Sequence, residues 1–227
     1  LETGEYAKAR EKANAVIGNS TYRLLADYND LWTGSNKNST ESIYEVQFTT
    51  ANGNSASFWF YPTPLGGRLG FAPSQSLIGA YETGDTRRAA SIASHTNGQV
   101  YGFKYRQVGT GNENIPVLRL AEQYLIRAEA NARLNAPAAT VHADINVIRN
   151  RAGLGNLAEA ITSQQALLDA ILQERRVELA FEGFRFMDLR RHGKAAELLG
   201  VPAERLLWPI PQYERDVNPN LAQNPGY

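Results

Sequence analysis

Leu118-Arg119-Leu120-Ala121-Glu122-Gln123-Tyr124-Leu125-Ile126-Arg127-Ala128-Glu129-Ala130 repeats apolar side chains every three or four residues, the spacing of a helix with one buried face. From Val117 onward, Leu118, Ala121, Leu125, Ala128 and Ala132 form one stripe. Val141, Ile145 and Ile148 form a second that ends at Gly153. Joined near Pro137, the two predict a helical hairpin. Ala121, Ala128, Ala132 and Ala143 are small enough for the close approach that stacked helix pairs require.

Downstream, Leu167, Leu168, Ile171, Leu172 and Leu179 predict a third helix from Ser163 to Phe181, capped by Ser163 and ended by Gly183. A shorter helix is expected over Phe184 to His192. After Leu207, the prolines at 209, 211, 219 and 225 lack amide donors and bias their predecessors to extended backbone. The tail is therefore expected to lie extended on the body, anchored by Trp208, Ile210, Leu221 and Tyr227.

Upstream the texture changes. Residues 20–115 are rich in Gly, Asn, Ser, Thr and aromatics and read as loop-dominated. Ser42 to Phe48 alternates like a short strand. Pro73-Ser74 opens a helix expected to run through Tyr81 with Ser74 as its cap. Asn97-Gly98, between Ser91-Ile92-Ala93 and Val100-Tyr101-Gly102-Phe103, predicts a hairpin with a two-residue turn. Tyr6, Ala9, Ala13, Val16 and Ile17 predict a first helix stopped by Gly18. It has the look of the second member of a tetratricopeptide-like pair, so a preceding helix is expected upstream of Leu1.

Composition narrows the possibilities. Lys+Arg and Asp+Glu both number 23 in 227 residues, which leaves no net field to attract nucleic acid. The absence of cysteine excludes disulfides, thiolate metal sites and thiol nucleophiles. No apolar run is long enough for a membrane helix. His95, His142 and His192 are far apart, and no His-Glu-x-x-His, nucleophile-elbow, Walker or dinucleotide motif is present, so neither metal nor cofactor is expected. Gly66-Gly67-Arg68-Leu69-Gly70 lacks the Lys-Ser/Thr pair and preceding strand of a phosphate loop and reads as a flexible loop.

The segment Glu174 to Arg191 packs acids and bases among aromatics. Glu174, Glu178 and Glu182 share a helix face at i, i+4 and i+8, where like charges repel unless compensated. Arg175, Arg176, Arg185, Arg190 and Arg191 are local candidates for that role, and Arg127, Arg149 and Arg151 come from neighbouring helices. Guanidinium forks suit buried carboxylates, so a structural ion network is expected over Glu174, Arg176, Glu178, Glu182, Arg185 and Asp188. A glycoside hydrolase using Glu178 and Asp188 is the catalytic alternative. Phe58-Trp59-Phe60-Tyr61, with Phe71, Tyr81, Tyr101 and Tyr105, offers flat apolar faces for a ligand. Read as a strand, the quartet puts Trp59 and Tyr61 on one side.

These stretches together resemble the SusD/RagB family of cell-surface lipoproteins. The resemblance is carried by Leu118 to Ala130, by Ile145-Asn146-Val147-Ile148-Arg149-Asn150-Arg151-Ala152-Gly153-Leu154, by Glu174 to Arg191, and by the ending Pro209-Ile210-Pro211, Asn218-Pro219-Asn220-Leu221 and Gln223-Asn224-Pro225-Gly226-Tyr227. The Gly4 to Gly18 helix, Glu41 to Val46 and Gly84-Asp85-Thr86-Arg87-Arg88 are consistent with it. The resemblance implies a mainly α fold of tetratricopeptide-like hairpins, an α/α superhelix with a loop-rich binding face and a small β-hairpin. Residues 1–116 would form the ligand-face region and 117–227 the scaffold and extended tail. It further implies a non-catalytic protein at the outer-membrane surface that passes glycans, or in some members peptides, to a SusC-like TonB-dependent transporter. Family members are about twice this length and are lipid-anchored at an N-terminal cysteine, so an upstream half is expected. On this reading Trp59, Tyr61, Tyr81 and Arg68 are the candidate ligand-binding residues.

Overall fold

The computed structural model describes residues 1–227. Up to Gly183 the chain runs α1 (Tyr6–Ile17), β1 (Ser42–Val46), α2 (Ala56–Phe60), α3 (Gln75–Ile78), α4 (Arg87–Ser91), β2 (Ile92–Ser94), β3 (Val100–Gly102), β4 (Ile115–Arg119), α5 (Leu120–Arg133), α6 (Ala138–Arg151) and α7 (Gln164–Glu178). Tight 3-10 turns occur at Tyr28–Trp32 and Thr63–Leu65.

α5 is the central helix. Its Ala128 and Ala132 meet Val141 and Ile145 of α6 and Leu167, Leu168 and Ile171 of α7, all essentially removed from water. Alanine at the contact lets the backbones approach while still burying apolar surface. Ala143, expected at this contact, faces solvent, and Ala130 is buried instead. α1 packs against α5: Ala13 is buried, Arg127 Nη1 donates to Asn14 Oδ1 at 2.8 Å, and the Arg133 guanidinium lies over the Tyr6 ring. The result is a mainly helical fold of stacked hairpins with short open sheets, as expected.

The helix predicted from Val117 begins three residues later, because Val117 and Leu118 belong to β4. Pro116 holds Ile115 in extended backbone, and β4 pairs antiparallel with β1, Tyr44 opposite Leu118 and Val46 opposite Ile115. The 116/117 division thus falls within a strand, and this pairing ties the loop-rich part to the helices. β2 and β3 form the predicted hairpin with Ile92 opposite Gly102 and Ser94 opposite Val100. Its turn has three residues, not two. Gly98 N donates to His95 O, His95 N donates to Gln99 O, and only Gly98 takes a positive φ, +87°. That is a type I turn followed by a left-handed glycine.

Ser74 and Ser163 both cap as predicted, accepting from Leu77 N at 3.2 Å and Ala166 N at 3.3 Å. α3 nevertheless stops at Ile78, well short of Tyr81. Ser163→Ala is expected to cost about 1 kcal/mol, the usual value of a serine cap, read as a lowered urea midpoint.

Residues 184–227 form a second unit with α8 (Arg185–Arg191), α9 (Ala195–Leu199), a 3-10 turn at Ala203–Leu206 and α10 (Gln212–Val217). α10 corrects the expectation that the prolines exclude regular structure here. Pro211 directly precedes the helix, where a missing amide costs nothing. Within this unit the tail doubles back on itself. Ile210 N donates to Gln223 Oε1, Gln223 Nε2 returns a bond to Ile210 O, Asn224 Nδ2 donates to Trp208 O, and Tyr227 OH donates to Leu207 O.

Candidate functional site

Two constellations stand out in the larger unit: a buried charged node at the end of α7 and an exposed aromatic platform on α2. In the node, Glu178 Oε1 accepts from Arg119 Nη1 at 3.0 Å and from Arg151 Nη2, and Oε2 accepts from Arg87 Nη1 at 3.2 Å. Glu182 accepts from Arg119 Nε and Nη2 and from Lys104 Nζ at 2.6 to 2.9 Å. Glu41 bridges Arg119 and Arg151, Glu174 holds Arg87 and Arg149, and Asp85 takes the other edge of Arg87. Five buried carboxylates thus meet five cations, Arg87, Lys104, Arg119, Arg149 and Arg151, and a sixth, the half-exposed Glu82, pairs with Arg149 at the rim. The node is close to neutral.

The node also ends α7. Glu178 O, one of the carbonyls that a helix C-terminus leaves unpaired, accepts from Tyr28 OH at 2.8 Å, Lys104 Nζ at 3.0 Å and Arg119 Nη2 at 3.2 Å. Cations at the negative end of the helix dipole add to the stabilisation. This stops α7 at Glu178 rather than Phe181, which turns away with φ +66°. Lys104 also lies over the Trp32 and Tyr28 rings, at 4.5 and 5.3 Å from their centroids.

Of the residues expected in the network, Glu174, Glu178 and Glu182 are brought together here. Arg176 instead donates to Ser76 Oγ, and Arg127 pairs with Asp144. Arg185 and Asp188 belong to the second unit, where Asp188 pairs with Arg191. Arg87, Lys104, Arg119, Glu41 and Asp85 were not legible as members, because only the folded chain brings them to α7.

Burial alone would raise the Glu178 carboxyl, but Arg151, Arg119 and Arg87 hold it well below the usual range; Arg119 and Lys104 do the same for Glu182. Glu174 goes the other way, raised by burial against the pull of Arg87 and Arg149. Burial pulls Lys104 down to about 8, against the attraction of Glu182. Desolvation raises the phenols of Tyr28, Tyr61, Tyr81 and Tyr105, that of Tyr81 to about 12.

These shifts fix the sign of the alkaline response. Between about pH 8 and 10, Lys104 binds its proton less in the folded chain than in the unfolded one, so its contribution to stability rises with pH. A phenol raised on folding contributes fully below about pH 10 and loses that contribution as pH climbs through its folded value. Stability is therefore expected to hold or rise slightly from pH 8 to 10 and to fall steeply above 10. Urea midpoints at half-unit steps, with phenolate absorbance followed in parallel, would check it.

The aromatic quartet is helical, not a strand. Asn54 Oδ1 accepts from Ala56 N and starts α2. A helix separates Trp59 from Tyr61 by about 200°, so the two do not share a side: Trp59 is 37% exposed and Tyr61 only 7%. Phe58 and Phe71 share the surface with Trp59, their ring centroids 5.6 and 6.0 Å from its own.

The glycine-rich segment expected to be a flexible loop is fastened across the end of α2. Arg68 N donates to Phe58 O, Leu69 N to Tyr61 O and Phe71 N to Trp59 O, at 2.7 to 3.1 Å. The glycines serve close approach: a Cβ on Gly67 would lie 2.1 Å from Tyr61 O, and one on Gly70 would lie 2.7 Å from Trp59 Cε3. The segment sets the Arg68 guanidinium over the Trp59 ring, 5.2 Å from its centroid.

Trp59 and Arg68 are thus brought together at the surface. Tyr61 backs the loop from inside, against Tyr101 and Phe103. Tyr81 lies in a separate buried cluster with Ile92 and Val177. A small polar cleft near Trp32 is lined in part by Glu113, which accepts from the Arg106 and Gln107 amides, and by Asn114, which donates to Glu45 and Gln47.

Known proteins share this architecture. Residues 95–206 match the family model described as the SusD family. SusD-like protein P2 of Formosa agariphila is 29% identical over 293 aligned positions that take in the whole chain and 57% of that relative. A solved laminarin binding SusD-like protein superposes with TM-score 0.81 at 30% identity, over 100% of this chain and 60% of that one. Surface glycan-binding protein A from Bacteroides fluxus gives TM-score 0.83 at 27% identity, again over 100% and 60%. The chain therefore spans little more than half the length of these relatives. With stacked hairpins, a loop-rich face and these matches in agreement, the chain belongs to the SusD/RagB family.

Proposed function

We propose that the full-length protein captures glycans without catalysis at the outer-membrane surface and delivers them to a SusC-like TonB-dependent transporter, held at the membrane by an N-terminal lipid anchor. The observation that carries this reading is the platform of Phe58 and Trp59 on α2 and Phe71 on the loop fastened across it, with Arg68 at its edge. Flat rings bind the apolar faces of sugars, and a fixed polar group orients them. Trp59 and Arg68 make the contacts, while Tyr61 holds the loop beneath them. The similar proteins described as laminarin binding and surface glycan-binding support the ligand class.

The charged node argues against the hydrolase alternative. A general acid must release a proton, and Glu178 is buried, ionised and bound by three guanidinium groups. Calorimetric titration of the chain with a panel of oligosaccharides and a panel of short peptides tests the proposal. Saturable glycan binding with no hydrolysis product is expected. Binding confined to peptides would replace it with peptide capture, and turnover of an oligosaccharide by the parent chain would replace it with hydrolysis.

A further inference from the structure

From Val46 to Tyr81 the chain has thirty-six residues and one formally charged side chain, Arg68. At the overall frequency of 20% charged residues, about seven would be expected there. This one charge is also placed with care. Its amide is fixed to Phe58 O at 2.7 Å, glycines at 67 and 70 allow the loop to seat, and its guanidinium rests on Trp59. The buried arginines of the node each hold at least one carboxylate. Arg68 has no ion pair or side-chain hydrogen bond within the protein, and its contact with Trp59 is its one specific interaction.

A guanidinium held over an indole, with none of its N–H groups engaged by a carboxylate or carbonyl of the chain, keeps its donors available to a two-oxygen anion. With no carboxylate within the segment, the surrounding rings contribute no competing negative charge. Phe58 and Phe71 beside it leave ring faces for the sugar itself.

We infer that the platform selects anionic glycans, sugars that carry a carboxylate or a sulfate ester, with Arg68 as the group that reads the oxyanion. The inference rests on the glycan reading above and extends it from sugar binding to charge selection. It departs from laminarin, the neutral glucan named for one similar protein.

The test is calorimetric titration of the chain with polygalacturonate, a sulfated galactan and neutral laminarin, at low and moderate salt. Tighter binding of at least one anionic polymer than of laminarin is expected, weakening as salt rises. Arg68→Gln should reduce that binding about tenfold or more and weaken laminarin binding by a much smaller factor, Arg68→Lys should be intermediate, and exposed Arg88→Gln should match the parent. The two anionic arms identify which oxyanion is read. Laminarin bound as tightly as both anionic polymers, or anionic binding untouched by Arg68→Gln, overturns charge selection while glycan capture stands. Binding of none of the three overturns both.

Discussion

Glu178→Gln is expected to lower folding stability by about 3–5 kcal/mol, the cost of removing one partner from a buried ion network. Glutamine has nearly the same volume, so the loss is electrostatic rather than a cavity. Arg87, Arg119 and Arg151 would each face an amide in place of a carboxylate where all four side chains are buried from solvent. Urea unfolding followed by circular dichroism reads the effect directly. Glu174→Gln should cost less, because burial already raises that carboxyl and its ionised form is held less strongly. Arg176→Gln, which removes a bond to Ser76 outside the node, should stay within about 0.5 kcal/mol. A shift below about 1 kcal/mol for Glu178→Gln would mean that the node contributes little to stability.

Trp59→Ala is expected to weaken glycan binding by about 2 kcal/mol, roughly thirtyfold, the scale of a central aromatic contact. The indole has two duties: it forms the middle of the platform, and it supports Arg68 and Gly70. Truncation removes ring area and lets the guanidinium swing, so affinity falls through lost contact and lost preorganisation together. Trp59→Phe should retain part of the affinity. Tyr81→Phe should leave it unchanged, since that hydroxyl lies in the core, against Val177 O and Ser91, away from the platform. Equal glycan affinity for Trp59→Ala and the parent would move the site off α2.

The helices were legible where periodicity and caps agreed. Ser163, the alanines of α5 and the Val141-Ile145-Ile148 stripe gave α5 to α7 within a few residues. Their ends were less legible, because the groups that terminate them are remote in sequence. Nothing near Glu178 says that Tyr28, Lys104 and Arg119 will converge on its carbonyl. Val117 and Leu118 continue a helical stripe, yet β1 claims them for a strand, a pairing decided by residues more than seventy positions away. At the candidate site, aromatic content was readable but not exposure. Phe58-Trp59-Phe60-Tyr61 suits a strand by propensity, and the short helix that Asn54 nucleates changes which rings face out. Gly67 and Gly70 suggested mobility, whereas their contacts show that they let the loop lie against α2.

The carbonyl of Glu178 and its carboxylate draw donors from residues 27 to 150 positions away along the chain, all but Arg151 at least 59 away. Closing such loops is slow, and their reward arrives only when the last strand and helix have docked. The node should therefore form late, after the local α5–α6 hairpin. Glu178→Gln would then act chiefly on the unfolding limb of a chevron plot and leave the refolding rate nearly as it was. Measured in this way, the node acts as a latch: it contributes little to how fast the chain finds its fold and much to how long it stays there.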